Sequence, residues 1–446
     1  MNIFSRASAG LVCALMIGNL PAIAISADDT LNLPVEGPYY LKAGQPFAGE
    51  TVSVLLHETG QYQAVLEQVG QFEELTGINV DVIWTPYPTL HSKVATELTA
   101  GGSEIDVLDI AGNWGAEFAR FVLPLDQYIE ADGYPMDFAE GLKRMYFLED
   151  SWLYIPSRTH GVVTYYRKDI FDDLGLPVPD TWEDMIESAK VIQEATDHSG
   201  ISIAYSQSVA TDFDNIMIWF TMLSGLGGSI FNDDWKPAFN GPVGIEATNR
   251  FIDLHLKHGV TPIGANAYTH YESILEFQQG RAAMIPSFEY FFSTLKHPEE
   301  SAVAETVAVA PYPRWEDGRR VGMVGGLGWG INKKSERIGA AWEFLKWSTS
   351  PEVQKAAVLS GGSAVVLHNS THKDEQLNEL FDNMFAMKLE SMMSGDVLPI
   401  IPEAAQINTV LGPTFSSIIA GEFSVEEGLN QAAEEIEQIM GDAGYY

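Results

Sequence analysis

Apolar runs and amphipathic stretches alternate along the first third of the chain. Residues 51–56 form a short apolar run that predicts a buried strand. The stretch 61–75 repeats apolar side chains at helical spacing before Gly77, a residue type that often ends helices. The pattern continues with a strand predicted over 78–84, a helix over 87–100 and a third strand over 105–108. Strands that alternate with helices predict an α/β fold with a mainly parallel sheet covered on both faces.

The rest of the chain carries mainly helical patterns. Thr181 and Asp184 have the spacing of a capping box, and Ser350 followed by Pro351 is typical of a helix start. Ser424 begins the last predicted helix, which extends to about residue 440. Other helices are predicted over 212–224, 242–258, 271–280 and 340–348, strands over 282–286 and 306–310, and a glycine-rich extended segment over 321–332.

The first 24 residues have the pattern of a secretory signal peptide. Arg6 precedes a short apolar run at 9–17, and Ala22 and Ala24 are small residues at the spacing that signal peptidase recognises. A membrane anchor would need about 20 apolar residues, and Asn19 interrupts this run early. Cleavage is expected after Ala24 or three residues later, which predicts an exported, periplasmic protein without a lipid anchor.

The chain has one cysteine, Cys13, which lies inside the predicted signal peptide. The mature protein is therefore expected to have no thiol. This excludes structural disulfides, thiolate metal ligands and cysteine nucleophiles. An exported domain without disulfides must be stabilised by a large apolar core, which this length allows.

Length and charge narrow the function further. The chain has 446 residues, enough for two to four domains, and 25 Lys and Arg stand against 61 Asp and Glu, a formal charge of −36. So acidic a chain repels nucleic-acid phosphates and anionic lipid headgroups, so that neither is an expected partner. The negative charge favours solubility but does not indicate a particular ligand.

Five stretches of the chain, taken in order, carry a family resemblance. They are 72–80, 165–184, 277–284, 325–345 and 398–427. Together they resemble the family 1 extracellular solute-binding proteins, the sugar-capturing subunits of ABC importers. The resemblance covers about residues 50–440.

The resemblance implies a clamshell of two α/β lobes, each a mainly parallel sheet flanked by helices, with the ligand in the cleft between the lobes. The chain is expected to cross between lobes near 154–160 and again near 309–313. The expected division is a signal peptide at 1–24, a leader at 25–50, a first lobe at 51–156 with 313–350, and a second lobe at 157–310 with 360–446.

A sugar presents apolar C–H faces and a ring of hydroxyls, so its site needs aromatic rings and directed hydrogen-bonding groups. Glu58 and Gln61 follow the first strand at its carboxyl end, where ligands of open α/β sheets collect, although the same turn could be a solvated helix cap. Asn113 and Trp114 follow the third strand, and Trp114 is the favoured stacking ring. Glu58 and Gln61 match the family's first polar contacts in approximate position, and a hydrophobic plug is the alternative for Trp114.

Three more candidates, Arg158, His160 and Tyr290, come from the predicted crossings and the second lobe. The resemblance places Tyr290 where relatives have a stacking Trp, whereas Phe288 is expected in the core. The maltodextrin-binding member has a carboxylate near His160, whereas this chain has Arg158 and His160. That difference admits a uronate or another acidic saccharide, since Arg pairs well with carboxylates. A surface ion pair of Arg158 is the alternative.

The remaining candidates are Gly326, Trp329, Asn215 and Asn408. Gly326 would let a ligand approach the backbone. Trp329 replaces a Trp that relatives have directly after the glycine pair, or else lies in the core. Asn215 and Asn408 match contact regions of relatives. The maltodextrin-binding member has a Trp at the position of Asn408, and the loss of that ring indicates a smaller ligand.

The sequence predicts no cofactor, no metal and no catalysis. Gly-x-Ser-x-Gly and His-Glu-x-x-His motifs are absent, and His255 with His258 lacks an evident third metal ligand. We therefore expect a monomeric periplasmic receptor that delivers a carbohydrate to an ABC permease without chemistry. Two alternatives stay open at this point: a secreted polysaccharide-degrading enzyme, and a receptor of similar fold for an acidic saccharide or a non-sugar solute.

Overall fold

The computed structural model describes residues 31–207, 214–362 and 365–446. The predicted signal peptide, Cys13, the start of the predicted leader and the first two residues of the predicted 212–224 helix lie outside these ranges. Within them, every helix is too short or too polar to cross a bilayer.

The described chain alternates between short strands and helices. The strands are β1 Thr51–His57, β2 Asn79–Thr85, β3 Val107–Ala111, β4 Phe147–Leu148, β5 Ser151–Trp152, β6 Ile155–His160, β7 Val162–Arg167, β8 Ser199–Ile201, β9 Ala282–Phe288, β10 Val307–Ala310 and β11 Gly325–Ile331. The α-helices are α1 Gly60–Leu66, α2 Val69–Thr76, α3 Tyr87–Ala100, α4 Gly115–Phe118, α5 Asp126–Asp132, α6 Glu140–Tyr146, α7 Lys168–Leu174, α8 Trp182–Ala195, α9 Ile216–Gly225, α10 Pro242–Leu256, α11 His270–Gln278, α12 Phe292–Leu295, α13 Ile338–Thr349, α14 Pro351–Leu359, α15 Asn369–His372, α16 Glu375–Leu380, α17 Met384–Met393, α18 Ala404–Ile419 and α19 Val425–Asp442. Short 3-10 turns lie at Pro38–Tyr40, Gly112–Trp114, Ala119–Phe121, Ala265–Ala267 and Glu289–Phe291.

Two sheets organise the molecule into two lobes. The first has five strands in the order β2-β1-β3-β11-β6, and the second has four in the order β10-β7-β9-β8. In the first sheet β1 runs parallel to β2 and β3, whereas β11 is antiparallel to β3 and β6. In the second sheet the β8–β9 pair is parallel and the other two pairs are antiparallel. The sheets are therefore mixed, not mainly parallel as expected. Every antiparallel pair in them includes β7 or β11, the two strands that the chain enters from the other lobe without a crossover helix.

Each sheet has its own apolar core. In the first lobe Leu55 of β1 and Trp342 of α13 are fully buried. In the second lobe the rings of Trp219 and Phe415 lie 4.5 Å apart between α9 and α18. Separate cores allow each lobe to act as one rigid unit.

Most of the predicted helix starts are confirmed, and one predicted helix is wrong. Thr181 caps α8 through a complete capping box, Ser350 caps α14, and Ser424 caps α19. The stretch 61–75, predicted as one helix, is broken between α1 and α2. At the break the Gln68 side chain donates a hydrogen bond to the backbone oxygen of Val353 on α14, which holds this turn against the neighbouring helix.

The chain passes from the first sheet to the second through a single residue, Gly161, which separates β6 from β7. It returns between β10 and β11, over residues 311–324. The predicted crossings at 154–160 and 309–313 lie beside these two connections. The division of the chain into lobes at the expected bounds stays a prediction.

A buried ion pair joins the segments that meet at Gly161. Lys388 Nζ of α17 lies 2.7 Å from a carboxylate oxygen of Glu289, and both side chains are fully buried. Lys388 also donates to the backbone oxygen of Thr159 (3.0 Å), and the Gly161 backbone N–H donates to Glu289 (3.0 Å). Burial raises the pKa of Glu289 and lowers the pKa of Lys388, and in each case the partner's charge opposes the shift.

We predict that Lys388→Met lowers the free energy of unfolding by about 3–5 kcal/mol, because it leaves the Glu289 carboxyl buried without its partner. The double variant Lys388→Met/Glu289→Gln removes both charges and is expected to lose less stability than the single variant. Urea unfolding monitored by circular dichroism measures both. A single variant as stable as the wild type would contradict the role of the pair.

Candidate functional site

A cavity of about 330 Å³ lies where the two sheets meet, at the lower end of the roughly 300–1,000 Å³ typical of small-molecule sites. Both lobes contribute to its wall. The lining residues are His57, Glu58, Thr59, Tyr87, Ala111, Gly112, Asn113, Met145, Arg158, His160, Tyr271, Phe288, Tyr290, Met323, Val324, Gly325, Gly326, Leu327, Val397, Leu398, Ile400 and Asn408.

The carboxyl ends of three parallel strands supply one side of the wall. His57 ends β1, Asn113 follows β3 in a 3-10 turn, and Tyr87 follows β2 at the start of α3. Since parallel strands end at the same edge of a sheet, these side chains come together although they are distant in sequence. Glu58 extends the same edge and is exposed.

Tyr87, not Trp114, is the aromatic ring that this side presents to the cavity. The Trp114 ring stacks behind Tyr87 at a centroid distance of 5.5 Å and an interplanar angle of 22°. The edge of His91 lies 4.9 Å from the same indole. Trp114 therefore supports the ring that lines the cavity and does not itself line it, contrary to the prediction of a stacking plate at this position.

An aromatic cluster from the second lobe faces this edge. Tyr290 stacks on Phe288 with centroids 5.3 Å apart and an interplanar angle of 12°. The His160 ring lies edge-on to Tyr290 at 4.9 Å, and the Arg158 guanidinium carbon lies 5.1 Å from the centre of the Tyr290 ring. Phe288, expected in the core, is almost fully buried and still contributes to the cavity wall.

The histidines of the site are neutral at pH 7. Burial, with a smaller contribution from the charge of Arg158, lowers the pKa of His57 to about 4. Burial and the same arginine hold the pKa of His160 well below its usual range. Both imidazoles can therefore donate and accept hydrogen bonds, and Glu58 and Arg158 are the acidic and the basic residue of the cavity wall.

A buried carboxyl group lies directly behind the strand ends. Asp109 is fully buried, and burial raises its pKa to about 7. It accepts hydrogen bonds from the His57 backbone N–H (3.0 Å) and from the Tyr62 hydroxyl (3.0 Å). The Tyr62 hydroxyl also lies 2.7 Å from Ser157 Oγ on β6. This network ties the end of β1 to the strand that carries Arg158.

The structure brings together most of the sequence-predicted candidates. Those that line the cavity are Glu58, Asn113, Arg158, His160, Tyr290, Gly326 and Asn408. Those that do not line it are Gln61, Trp114, Asn215 and Trp329. Whether the lining residues contact a ligand stays a prediction.

The outliers have structural contacts that explain their positions. Gln61 is buried and donates to the backbone oxygen of Ser157 at 3.2 Å. The Asn215 amide donates to the backbone oxygens of Tyr205 (3.0 Å) and Gly412 (2.8 Å). Both side chains therefore join segments inside the protein.

Trp329 lies in the core of the first lobe, its ring stacked on Phe344 with centroids 5.5 Å apart. Strand alternation predicts that Leu327 and Trp329 share one face, and Leu327 does line the cavity. In the unbroken β3–β11 register Leu327 lies opposite Ala111 at the end of β3, whereas Trp329 lies opposite Asp109, two residues further from the strand ends that line the cavity. The irregularity of the β6–β11 pair falls on β6, where Ser157 is skipped. Of the two alternatives for Trp329, replacement of the relatives' stacking ring in the site or a position in the core, the structure shows the core position.

Several lining residues are not among the sequence-predicted candidates. They include His57, Thr59, Tyr87, Met145, Tyr271, Met323, Leu398 and Ile400. Tyr87 could have been found, because it follows β2 as Asn113 follows β3. Other lining residues come from helices and loops that reach the cavity only through long-range packing, such as Tyr271, Met145 and the segment around Leu398. Such packing produces no recognisable pattern in the local sequence.

The described part of the chain contains no group of three or more metal-binding side chains placed to hold an ion. His255, weighed above as a ligand, has its Nδ1 atom 2.7 Å from Thr261 Oγ1. The cavity is thus built from aromatic, apolar and hydrogen-bonding groups that suit a small organic solute.

Comparisons with known proteins agree with this architecture. A family model described as bacterial extracellular solute-binding protein matches residues 57–355. A probable amino-acid ABC transporter periplasmic-binding protein of Sinorhizobium fredii is 22% identical over 98% of both chains. The mannitol-binding protein of Pseudomonas aeruginosa is 24% identical over 80% of this chain and 85% of its own.

Solved structures share the fold. Maltose-bound MalE3 of T. maritima superposes with a TM-score of 0.76 at 24% identity, covering 88% of this chain and 100% of the other. An ABC transporter solute-binding protein of Agrobacterium vitis with bound D-mannitol gives a TM-score of 0.73 at 25% identity, covering 89% and 99%. The expected two-lobe clamshell is confirmed.

Gly326 offers a sharp test of the strand pairing that supports the site. A Cβ atom there would lie 2.1 Å from the backbone oxygen of Arg158, whereas at Gly325 the nearest atoms are 3.9 Å away, in His160. We predict that Gly326→Ala lowers the free energy of unfolding by about 1–3 kcal/mol through overpacking. Gly325→Ala is the matched control and should change stability little. Equal urea midpoints for the two variants would contradict this account.

Proposed function

The chain belongs to the bacterial extracellular solute-binding protein family, and we propose that it captures a small sugar or polyol in the interlobe cavity and presents it unaltered to an ABC permease. The observation that carries the proposal is the cavity itself. It holds about 330 Å³ between the lobes and combines aromatic rings with hydrogen-bonding side chains from both.

The chemistry of the wall suits a polyhydroxylated ligand. Tyr87 and Tyr290 line the cavity and, in this proposal, cover apolar C–H faces of the ligand, while Asn113, Asn408 and neutral His57 hydrogen-bond its hydroxyls. A solute that contacts both lobes favours the arrangement in which they are closed, because it gains contacts that the open arrangement lacks. The permease then recognises the closed arrangement, which ligand binding stabilises.

The size of the cavity favours a monosaccharide or a linear polyol over a long oligosaccharide. The Pseudomonas relative is named for mannitol, and the Agrobacterium structure holds D-mannitol. The Sinorhizobium relative is named for amino acids, which makes amino acids a necessary comparison in any screen.

The finer expectations about the protein belong to the same proposal. We propose that it works in the periplasm after removal of residues 1–24, acts as a monomer without binding nucleic acid, and catalyses no reaction. The candidate contact residues are those of the cavity wall, with Gly326 and Asn408 included.

A thermal-shift screen tests the proposal, since a ligand that binds the folded state alone raises the melting temperature. The screen compares D-mannitol, D-glucitol, D-glucose and maltose with a set of amino acids. We expect at least one sugar or polyol to raise the melting temperature and to be recovered unchanged by chromatography. Stabilisation by amino acids alone, or chemical conversion of the bound sugar, would contradict the proposal.

Tyr290→Ala should weaken binding of the sugar or polyol found in that screen by about 1–2 kcal/mol, roughly 5- to 30-fold in Kd, because it removes an aromatic face from the cavity. Isothermal titration calorimetry measures the change. Tyr446→Ala is the matched control, since Tyr446 is exposed at the carboxyl end of the chain and lies outside the cavity wall. Equal affinities for the two variants would remove Tyr290 from the site.

A further inference from the structure

Among the described residues, Arg158 is one of three arginines, with the exposed Arg120 and with Arg319, that form no ion pair with a carboxylate. Seven other arginines form ion pairs with carboxylates: Arg144, Arg167, Arg250, Arg281, Arg314, Arg320 and Arg337. With 61 acidic residues against 25 basic ones, a carboxylate partner is easy to find almost anywhere on this surface. Arg158 lines the cavity and, among the described residues, has no carboxylate oxygen within 4.0 Å of its nitrogens.

The guanidinium is held in place without being neutralised. It lies over the Tyr290 ring at 5.1 Å, and its Nε atom is buried with no hydrogen-bond partner among the described groups. An arginine that binds only hydroxyls can keep a carboxylate beside it to offset its charge. A partly buried arginine without one retains its strongest recognition capacity, a bidentate pair with a carboxylate.

Three acidic residues near Arg158 do not supply that carboxylate. The Asp109 oxygens accept hydrogen bonds from the His57 backbone and from the Tyr62 hydroxyl. Glu289 pairs with Lys388 at 2.7 Å. Glu58, the acidic residue of the cavity wall, is exposed and forms no ion pair with Arg158.

We propose that the natural ligand is a small sugar acid, an aldonate or a uronate, whose carboxylate pairs with Arg158 while its carbon chain or ring lies against Tyr290. This inference rests on the proposed sugar-binding function and specifies the chemical class of the ligand. Different parts of the cavity wall bind different groups of the ligand. Arg158 binds the carboxylate, and His57 and Asn113 hydrogen-bond the hydroxyls.

Matched pairs of neutral and acidic ligands test the proposal on the full mature chain. The pairs are D-mannitol with D-mannonate, D-glucitol with D-gluconate, and D-glucose with D-glucuronate, and succinate serves as a carboxylate without a sugar. Calorimetry should show that at least one acid binds ~10-fold or more tightly than its neutral counterpart. Arg158→Gln should remove most of that preference while the neutral ligand loses much less.

The control is Arg120→Gln, which removes the same charge from an exposed position outside the cavity wall and should leave the preference unchanged. Neutral ligands that bind as well as the acids, or better, would overturn the sugar-acid inference and leave the proposed function intact. A preference that survives Arg158→Gln would overturn the assignment to this residue. Binding of succinate alone would overturn the sugar-binding function itself, and so would a failure of every sugar and sugar acid to bind.

Discussion

The buried ion pair between Lys388 and Glu289 is the constraint on which the arrangement of the two lobes depends. Two opposite charges without solvent are tolerated only when each is paired and hydrogen-bonded, and here the additional bonds go to Thr159 and Gly161. Those two residues belong to the end of β6 and to the link between the sheets. Because the two buried charges need these hydrogen bonds, they hold the backbone in place where the chain passes from one lobe to the other.

The ligand cavity depends on this junction. Arg158 and His160 lie on β6 immediately before the link, and Tyr290 follows Glu289 directly in sequence. The backbone positions that satisfy the ion pair thus also position the arginine, the imidazole and the aromatic ring around one space. On the opposite edge, Asp109 performs a similar task by joining β1 to β6 through Tyr62 and Ser157.

Much of this architecture could be predicted from sequence, for reasons that are local. The capping box at Thr181, the cap at Ser350 and the strand at 51–56 depend on neighbouring residues, and all three are present in the structure. The site candidates at strand ends, Glu58 and Asn113, follow from the geometry of parallel strands and do line the cavity.

What could not be predicted depends on long-range packing. The choice between Trp114 and Tyr87 as the exposed ring is decided by which aromatic side chain lies in front of the other. Whether Trp329 lines the cavity or packs in the core depends on how far along β11 it lies from the edge of the sheet, opposite Asp109, and on the packing of its ring against Phe344. Asn215 and Gln61 are polar residues near the right elements, but their partners lie inside the protein.

The one-residue link at Gly161 has a mechanical consequence. A body that turns about an axis moves least near that axis, and Arg158 and His160 lie within three residues of the link. Any rotation of one lobe against the other would sweep the outer surfaces through a long arc while these side chains shift little. Side chains beside the link would therefore keep nearly the same neighbours during such a rotation, while the distant edges of the lobes would separate or approach.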